Sequence, residues 1–302
     1  MSLRQLSSSG LSVEKFITKD VDGDSCFSLV DGKCPFLNND GLCKIRLKYS
    51  QAQTPEVCRI HPLFIEEYDG FTENCPSLSC PAVCRDVFGG ELSAEAYPAP
   101  NASVSDELLE ILIKSRTEIL RFIADSDIKI TELFNAFLDC ACLAQYCDET
   151  AEAFTFKSGE SSMLFGKRDY SGYLSSDLAV FLAALENNCE ILTDNWRGLL
   201  SISVKRPKDL LFLKGFDGEI KKHLMYLTYR YWLKAINNSD IVGTAVFIVL
   251  SVLSVANTAF SSNIPYSEVA RLYSKEIEHD TDNTDTLLDL CSELGMRYYD
   301  LF

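Results

Sequence analysis

The sequence predicts a mainly α protein in two parts, a small loop-rich cysteine/metal module over residues 1–90 followed by an all-helical bundle domain over 91–302. Two observations carry most of this. Six of the twelve cysteines lie between Cys34 and Cys84, and from Ser105 onward apolar residues recur at helical spacing almost throughout. Strands do not alternate convincingly with helices, which disfavours a doubly wound sheet.

In the first part, Cys34, Cys75 and Cys80 are each followed by proline. Proline pushes the preceding residue into extended geometry, so each Cys-Pro pair is expected to hold its thiol on a loop. Asp22-Gly23-Asp24 beside Cys26 and Asn38-Asn39-Asp40-Gly41 are turn signals, and the second is expected to fold Cys34 and Cys43 toward each other. A short helix is expected from Lys44 to Gln53. A second begins at Pro55 and carries Cys58 on its first turn, where the helix dipole favours a thiolate.

Gly89-Gly90 and the proline-bearing stretch after it mark the boundary. Leu108, Leu109, Ile111, Leu112, Ile119, Leu120 and Ile123 give a long amphipathic helix capped by Ser103 or Ser105. The next runs from about Ile130 to Cys147, with Cys140 and Cys147 on an apolar face. They read as small packing residues, as do Cys142, Cys189 and Cys291. Phe154 to Tyr173 is polar, without a clean period, and reads as a long loop. Further helices are expected over Ser176–Asn187, Glu219–Asn237, Ile241–Asn257, Ser267–His279 and Thr284–Tyr299. The apolar run from Ile241 to Phe260 has the length of a membrane span, but its five Ser, Thr and Asn residues and the lack of flanking basic clusters fit a buried central helix.

The 302 residues are 47% hydrophobic, enough for a substantial core. A net charge of −16 leaves no basic face for nucleic acid. The first residues, MSLRQLSSSGLSVEKF, lack the apolar core of a signal peptide, so a cytoplasmic protein is expected. In that reducing compartment clustered cysteines read as metal-binding or catalytic rather than disulfide-forming. The sequence has no glycine-rich nucleotide loop and no serine nucleophile elbow, and its three histidines are scattered at His61, His223 and His279. Arg271 to His279 reads either as a solvated charged helix face or as a site for a basic substrate.

Cys34-Pro35-Phe36-Leu37, Asp40-Gly41-Leu42-Cys43-Lys44-Ile45, Pro55-Glu56-Val57-Cys58-Arg59-Ile60-His61-Pro62 and Leu78-Ser79-Cys80-Pro81 together resemble the flagellin lysine-N-methylase family. Tyr229 to Lys234 and Arg271 to His279 are similar to that family's second signature. The chain differs in having only Cys26 before Cys34, where the family has an adjacent Cys-Cys pair, and Leu63 where arginine is common. The resemblance implies a protein-lysine N-methyltransferase carrying a 4Fe-4S cluster, with S-adenosylmethionine as donor and flagellin or another lysine-bearing protein as partner. It implies metal ligands Cys34, Cys43, Cys58 and Cys80, with Cys75 and Cys84 in reserve. Tyr273, Glu276 and Glu278 are the catalytic candidates, and Tyr231 and Arg271 the cofactor contacts. The alternative is a non-enzymatic iron–sulfur or structural zinc protein whose helical domain binds a protein partner.

Overall fold

The computed structural model describes residues 13–19, 23, 25–48, 54–155, 168–206, 210–213 and 215–302. Most of the Phe154 to Tyr173 loop, residues 49–53 of the helix expected to end at Gln53, and Asp22 and Asp24 lie outside the described residues. The chain is mainly α, with eleven α-helices among the described residues. It divides into two compact units, 1–64 and 65–302. The division precedes the expected boundary at residue 90, because a hairpin and a helix carrying Cys75, Cys80 and Cys84 belong with the helical unit.

In the first unit a 3-10 turn, Val13–Phe16, leads into β1 (Ile17–Lys19), which pairs antiparallel with β2 (Ser25–Phe27). Val13, Phe36 and Ile45 are buried, with Phe16, Ile17, Phe27, Cys34 and Cys43 packed around them. The expected turn is present. Asn38 Oδ1 accepts from the Asp40 and Leu42 N–H groups, Gly41 takes φ +77°, and Leu37 bridges to Cys43. Two short helices follow, α1 (Lys44–Lys48) and α2 (Glu56–Ile60), joined by a hydrogen bond from Arg46 Nη2 to the Cys58 carbonyl.

The helical unit is not all-helical. It carries a hairpin of β3 (Leu63–Tyr68, its first two residues in the first unit) and β4 (Phe71–Pro76). Asp69-Gly70 makes the turn, with Gly70 at φ +85°. Proline after Cys75 and Cys80 does enforce extended geometry, but Cys75 is a buried strand residue and Cys80 is the N-cap of α3 (Pro81–Gly89). Helices α4 (Glu107–Asp125), α5 (Ile130–Thr150), α6 (Ser171–Asn187), α7 (Asp194–Val204), α8 (Asp217–Tyr231), α9 (Ile241–Ser262), α10 (Tyr266–Tyr273) and α11 (Thr281–Leu301) follow.

The helix expected at 105 starts after Asp106, whose carboxylate caps Leu109 N, while Ser105 donates to Asp69. Helix α6 begins inside the stretch expected to be loop. Helix α7 was not expected, although Thr193 caps it and Trp196, Leu199, Leu200 and Ser203 form a buried helical stripe. The helix expected over Glu219–Asn237 is α only to Tyr231, and Trp232–Asn237 continues as 3-10. Cys140, Cys142, Cys147 and Cys291 are buried as packing residues, whereas Cys189 is half-buried.

Every residue of α9 from Ile241 to Ala259 is buried. The helix packs against α5, α6, α7, α8, α10 and α11, so its apolar surface is satisfied by protein. Several of its polar residues find partners, whereas Asn257 Oδ1 and the Ser261 and Ser262 hydroxyls do not. Ser251 bonds the Tyr273 hydroxyl, Ser254 the Ser251 carbonyl, and Asn257 and Thr258 the Ser203 hydroxyl. Two glycines let α9 and α11 touch. A Cβ on Gly243 would stand 2.8 Å from the Ser292 Cα, and one on Gly295 would stand 3.1 Å from the Gly243 Cα. Gly243→Ala is therefore expected to destabilise the protein by about 1–3 kcal/mol. A urea midpoint equal to wild type would show that the helices do not approach so closely.

Candidate functional site

Three of the four expected metal ligands lie in the first unit. Cys34 and Cys43 sit against its small core, and Cys58 is exposed on α2. Cys58 is close enough to the other two to feel their charge. The Cys58 thiol is raised above its ordinary pKa, first by partial burial and then by Cys34 and Cys43, with Arg46 pulling the other way. The thiolate-stabilising turn expected around Cys58 is thus overridden, chiefly by partial burial and then by the neighbouring thiols, on a helix only five residues long. Among the described residues no group of three or more His, Cys, Asp or Glu side chains is arranged to hold a metal ion. The three thiols are of the right chemistry and in one region, but not at coordinating separations. Cys80 belongs to the helical unit. There Cys75 is buried and pushed up to about 12 by desolvation, while Cys84 is pushed up to about 11 and its thiol lies 3.2 Å from the Ser267 carbonyl.

The helical unit gathers a second group of residues around its hairpin. The covered face of β3 and β4 alternates Glu66, Tyr68, Phe71, Glu73 and Cys75, so it brings two carboxylates inward. Each meets arginine. Arg116 of α4 grips Glu73 with both terminal nitrogens, at 2.5 and 2.7 Å, and lies over the Tyr229 ring. Arg230 and Lys234 reach Glu66 at 2.6 and 2.7 Å. Burial works against ionised Glu66, but Lys234 and Arg230 together hold its carboxyl below the usual range.

Behind this layer the expected catalytic block adopts an unexpected backbone. After α10 the residues Ser274–Glu278 form a π-helical turn, a feature frequent at functional sites. It turns Ser274, Glu276, Ile277 and Glu278 inward and leaves Lys275 and His279 exposed. The catalytic candidates now separate. Tyr273 is fully buried with its hydroxyl on Ser251. Glu276 is fully buried and used as an anchor, accepting from Leu192 N, Thr193 N and Thr193 Oγ1 and so fixing the entry to α7.

Glu278 is different. It is 5% exposed, and neither carboxylate oxygen completes a hydrogen bond. Burial raises its pKa, while the Ser274 and Tyr231 hydroxyls and the charges of Arg230 and Lys234 draw it back. Cys75, Tyr226, Tyr231 and Tyr273 all lie within its field.

The two expected cofactor contacts also differ. Tyr231 is buried, its ring set edge-on to Phe247 and covered by Arg230. Arg271 lines an open cleft of about 620 Å³ with Arg85, Phe88, Phe216, Tyr266 and Glu268, and makes two bonds to the Glu268 carboxylate. The sequence reading missed Glu66, Glu73, Arg116, Ser77 and Ser79. The Asp69-Gly70 turn between alternating residues was the signal for the first two. Arg116 had no local signal, since its role depends on a partner 43 residues away.

The chain matches no family model, no curated protein and no solved structure.

A buried carboxyl with a raised pKa links stability to pH. The folded state holds the proton more tightly than the unfolded chain, so Glu278's contribution is complete below the unfolded value of about 4.3 and is lost as pH rises through the folded value. Glu278→Gln should remove that decline, and its stability relative to wild type should therefore increase from acid to neutral pH. Urea unfolding across this range checks it, and parallel pH profiles would rule out a carboxyl titrating in a buried setting.

Proposed function

We propose that this chain is a cysteine-ligated metal protein whose helical unit transfers a methyl group from S-adenosylmethionine to lysine side chains of a flagellin-type protein. The observation that carries the metal assignment is the grouping of the Cys34, Cys43 and Cys58 thiols in one small unit, where the first two raise the pKa of the third. A thin core supports it. Among the described residues Val13, Phe36 and Ile45 form the unit's buried apolar cluster, and none of the cysteines is in a disulfide. Units of this size commonly need a staple such as a metal. Thiolates suit a 4Fe-4S cluster or zinc, and binding would replace the repulsion between thiolates with attraction to a cation. The sequence resemblance supplies Cys80 as the fourth ligand.

For the transfer, the cleft at Arg271 offers guanidinium groups suited to a carboxylate and aromatic rings suited to a sulfonium cation. A lysine ammonium, with an ordinary pKa of about 10.4, must lose a proton before its nitrogen attacks the methyl group. Among the three catalytic candidates, Glu278 alone has an uncommitted carboxylate with increased proton affinity. A second reading, a metal protein that binds its partner without modifying it, is favoured by the burial of Tyr231, Tyr273 and Glu278.

Protein purified without oxygen is expected to contain iron and sulfide, and Cys58→Ser to lose them. Zinc without iron would leave the thiolate assignment and remove the cluster. Full metal content in Cys58→Ser would overturn the ligand set. Incubation with S-adenosylmethionine and flagellin, read by mass spectrometry, is expected to yield methyl-lysine. A metal-loaded protein that transfers none would favour the binding reading.

A further inference from the structure

Helices α3, α8 and α10 each bring one aromatic ring to the cleft that Arg271 lines. Phe88 comes from the end of α3, Phe216 from the N-cap of α8, and Tyr266 opens α10. Tyr266 is buried and touches both of the others, its ring centroid 5.7 Å from that of Phe88 at 62° and 5.6 Å from that of Phe216 at 49°. Two half-buried rings are thus inclined to a buried third. The Tyr266 ring is fixed by its hydroxyl, which lies 2.9 Å from Nδ1 of His223 and 3.5 Å from the Val252 carbonyl. Lys222 Nζ donates to the Phe88 carbonyl at 2.8 Å and ties the end of α3 to α8.

The charges around these rings are unequal. Arg271 is held by its two bonds to Glu268, and Arg85 is exposed beside Asp86. Glu219, in the first turn of α8, lines the same cleft half-buried, and among the described residues its carboxylate has no hydrogen bond or ion pair. Its charge is felt at Tyr266. His223, edge-on to the Tyr266 ring, is fully buried and its pKa is lowered to about 3 by desolvation, so it adds no positive charge there. Aromatic rings beside a carboxylate without a counterion attract a cation.

We propose that Phe88, Phe216 and Tyr266 form a box for a methylated ammonium group, entering as the side chain of a methylated lysine. A primary ammonium carries three N–H donors and is costly to strip of water where rings form the walls. Methylation removes those donors and leaves the charge, so a trimethylated head loses less on leaving water and is still attracted by the ring faces and by Glu219. The cleft, about 620 Å³, has room for the aliphatic stem as well as the head, space that a small free onium would leave largely empty. It is also open, so a side chain can enter while its backbone stays outside. Recognition of this kind does not require the chain to make the methyl group. The sulfonium of S-adenosylmethionine is an alkylated cation too, and on the function proposed above it would compete with methylated lysine for the rings.

The test uses the full-length protein and lysine blocked at both ends, its ε-amine trimethylated, unmodified or replaced by the neutral tert-butyl carbon analogue. Calorimetry is expected to show the trimethylated compound binding at least about tenfold more tightly than either of the others. Phe216→Leu keeps apolar bulk without the ring and is expected to abolish that preference, and Glu219→Gln to weaken binding several-fold. Both residues are half-buried, so these variants remain informative even if Phe88→Leu folds poorly. Equal binding of the carbon analogue would leave only an apolar cleft, and equal binding of unmodified lysine only an acidic one. Either result, or a preference that survives in Phe216→Leu, would overturn the box. Tetramethylammonium bound where blocked trimethyl-lysine is not would overturn lysine as the occupant. Methyl transfer is measured on the same proteins. Selective binding without transfer would remove the enzymatic function and leave the box standing, and transfer without selective binding would remove the box alone.

Discussion

Helix α9 is mostly apolar and buried on every side from Ile241 to Ala259, so an arrangement that leaves one side in water is unfavourable. Full burial of each of its Val, Ile and Leu residues is worth roughly 1.5–3 kcal/mol. The neighbouring helices therefore form a sheath around it, and other features of the second unit answer to that sheath. The glycine contact at Gly243 and Gly295 brings α11 close, and Ser203, Ser251 and Tyr273 meet polar groups that would otherwise be stranded. A sequence that resembles a membrane span in length and hydropathy is here a protein core, every residue of its most apolar window buried.

The sheath also explains where charge is tolerated. The β3–β4 hairpin carries Glu66 and Glu73 on its covered face, where isolated carboxylates would be too costly to desolvate. Arg230 and Lys234 are held on α8 and on the 3-10 turn after it, both packed against α9, and Arg116 on α4, and all three meet those carboxylates directly. Removing one partner from a buried pair of this kind typically costs about 3–5 kcal/mol. Beside this matched layer Glu278 stands out, because its oxygens make no complete hydrogen bond. Its position results from the π-turn, whose extra residue per hydrogen-bonded loop turns Glu276 and Glu278 inward together. One carboxylate then serves the fold and the other remains available for chemistry.

The first unit follows a different logic. Its aromatic cluster, Phe16 and Phe27 edge-on to Phe36, is small. The cysteines are set around that cluster and on the adjoining short helix, where a bound cation would join segments that the core alone holds weakly. The same arrangement opposes ionisation of Cys58 when no cation is present.

The sequence by itself determined what local pattern determines. It specified helices α4, α5, α9 and α11 through apolar periodicity, the Asn38 to Gly41 turn through side chains that bond their own backbone, and the burial of Cys140, Cys142, Cys147 and Cys291 through residue type. It gave no account of α7, a short helix whose buried stripe is Trp196, Leu199, Leu200 and Ser203, and it missed the hairpin because Glu66 and Glu73 break the expected hydrophobic alternation. Only the tertiary structure decided that Glu276 is an anchor, that Glu278 is uncommitted and that Ser77 stands between Ser274 and His279. Those roles are set by partners from about 80 to 200 positions away in the chain and by a π-turn that local periodicity does not encode, since side-chain spacing reports the face of an ideal helix and not the backbone that tertiary packing selects.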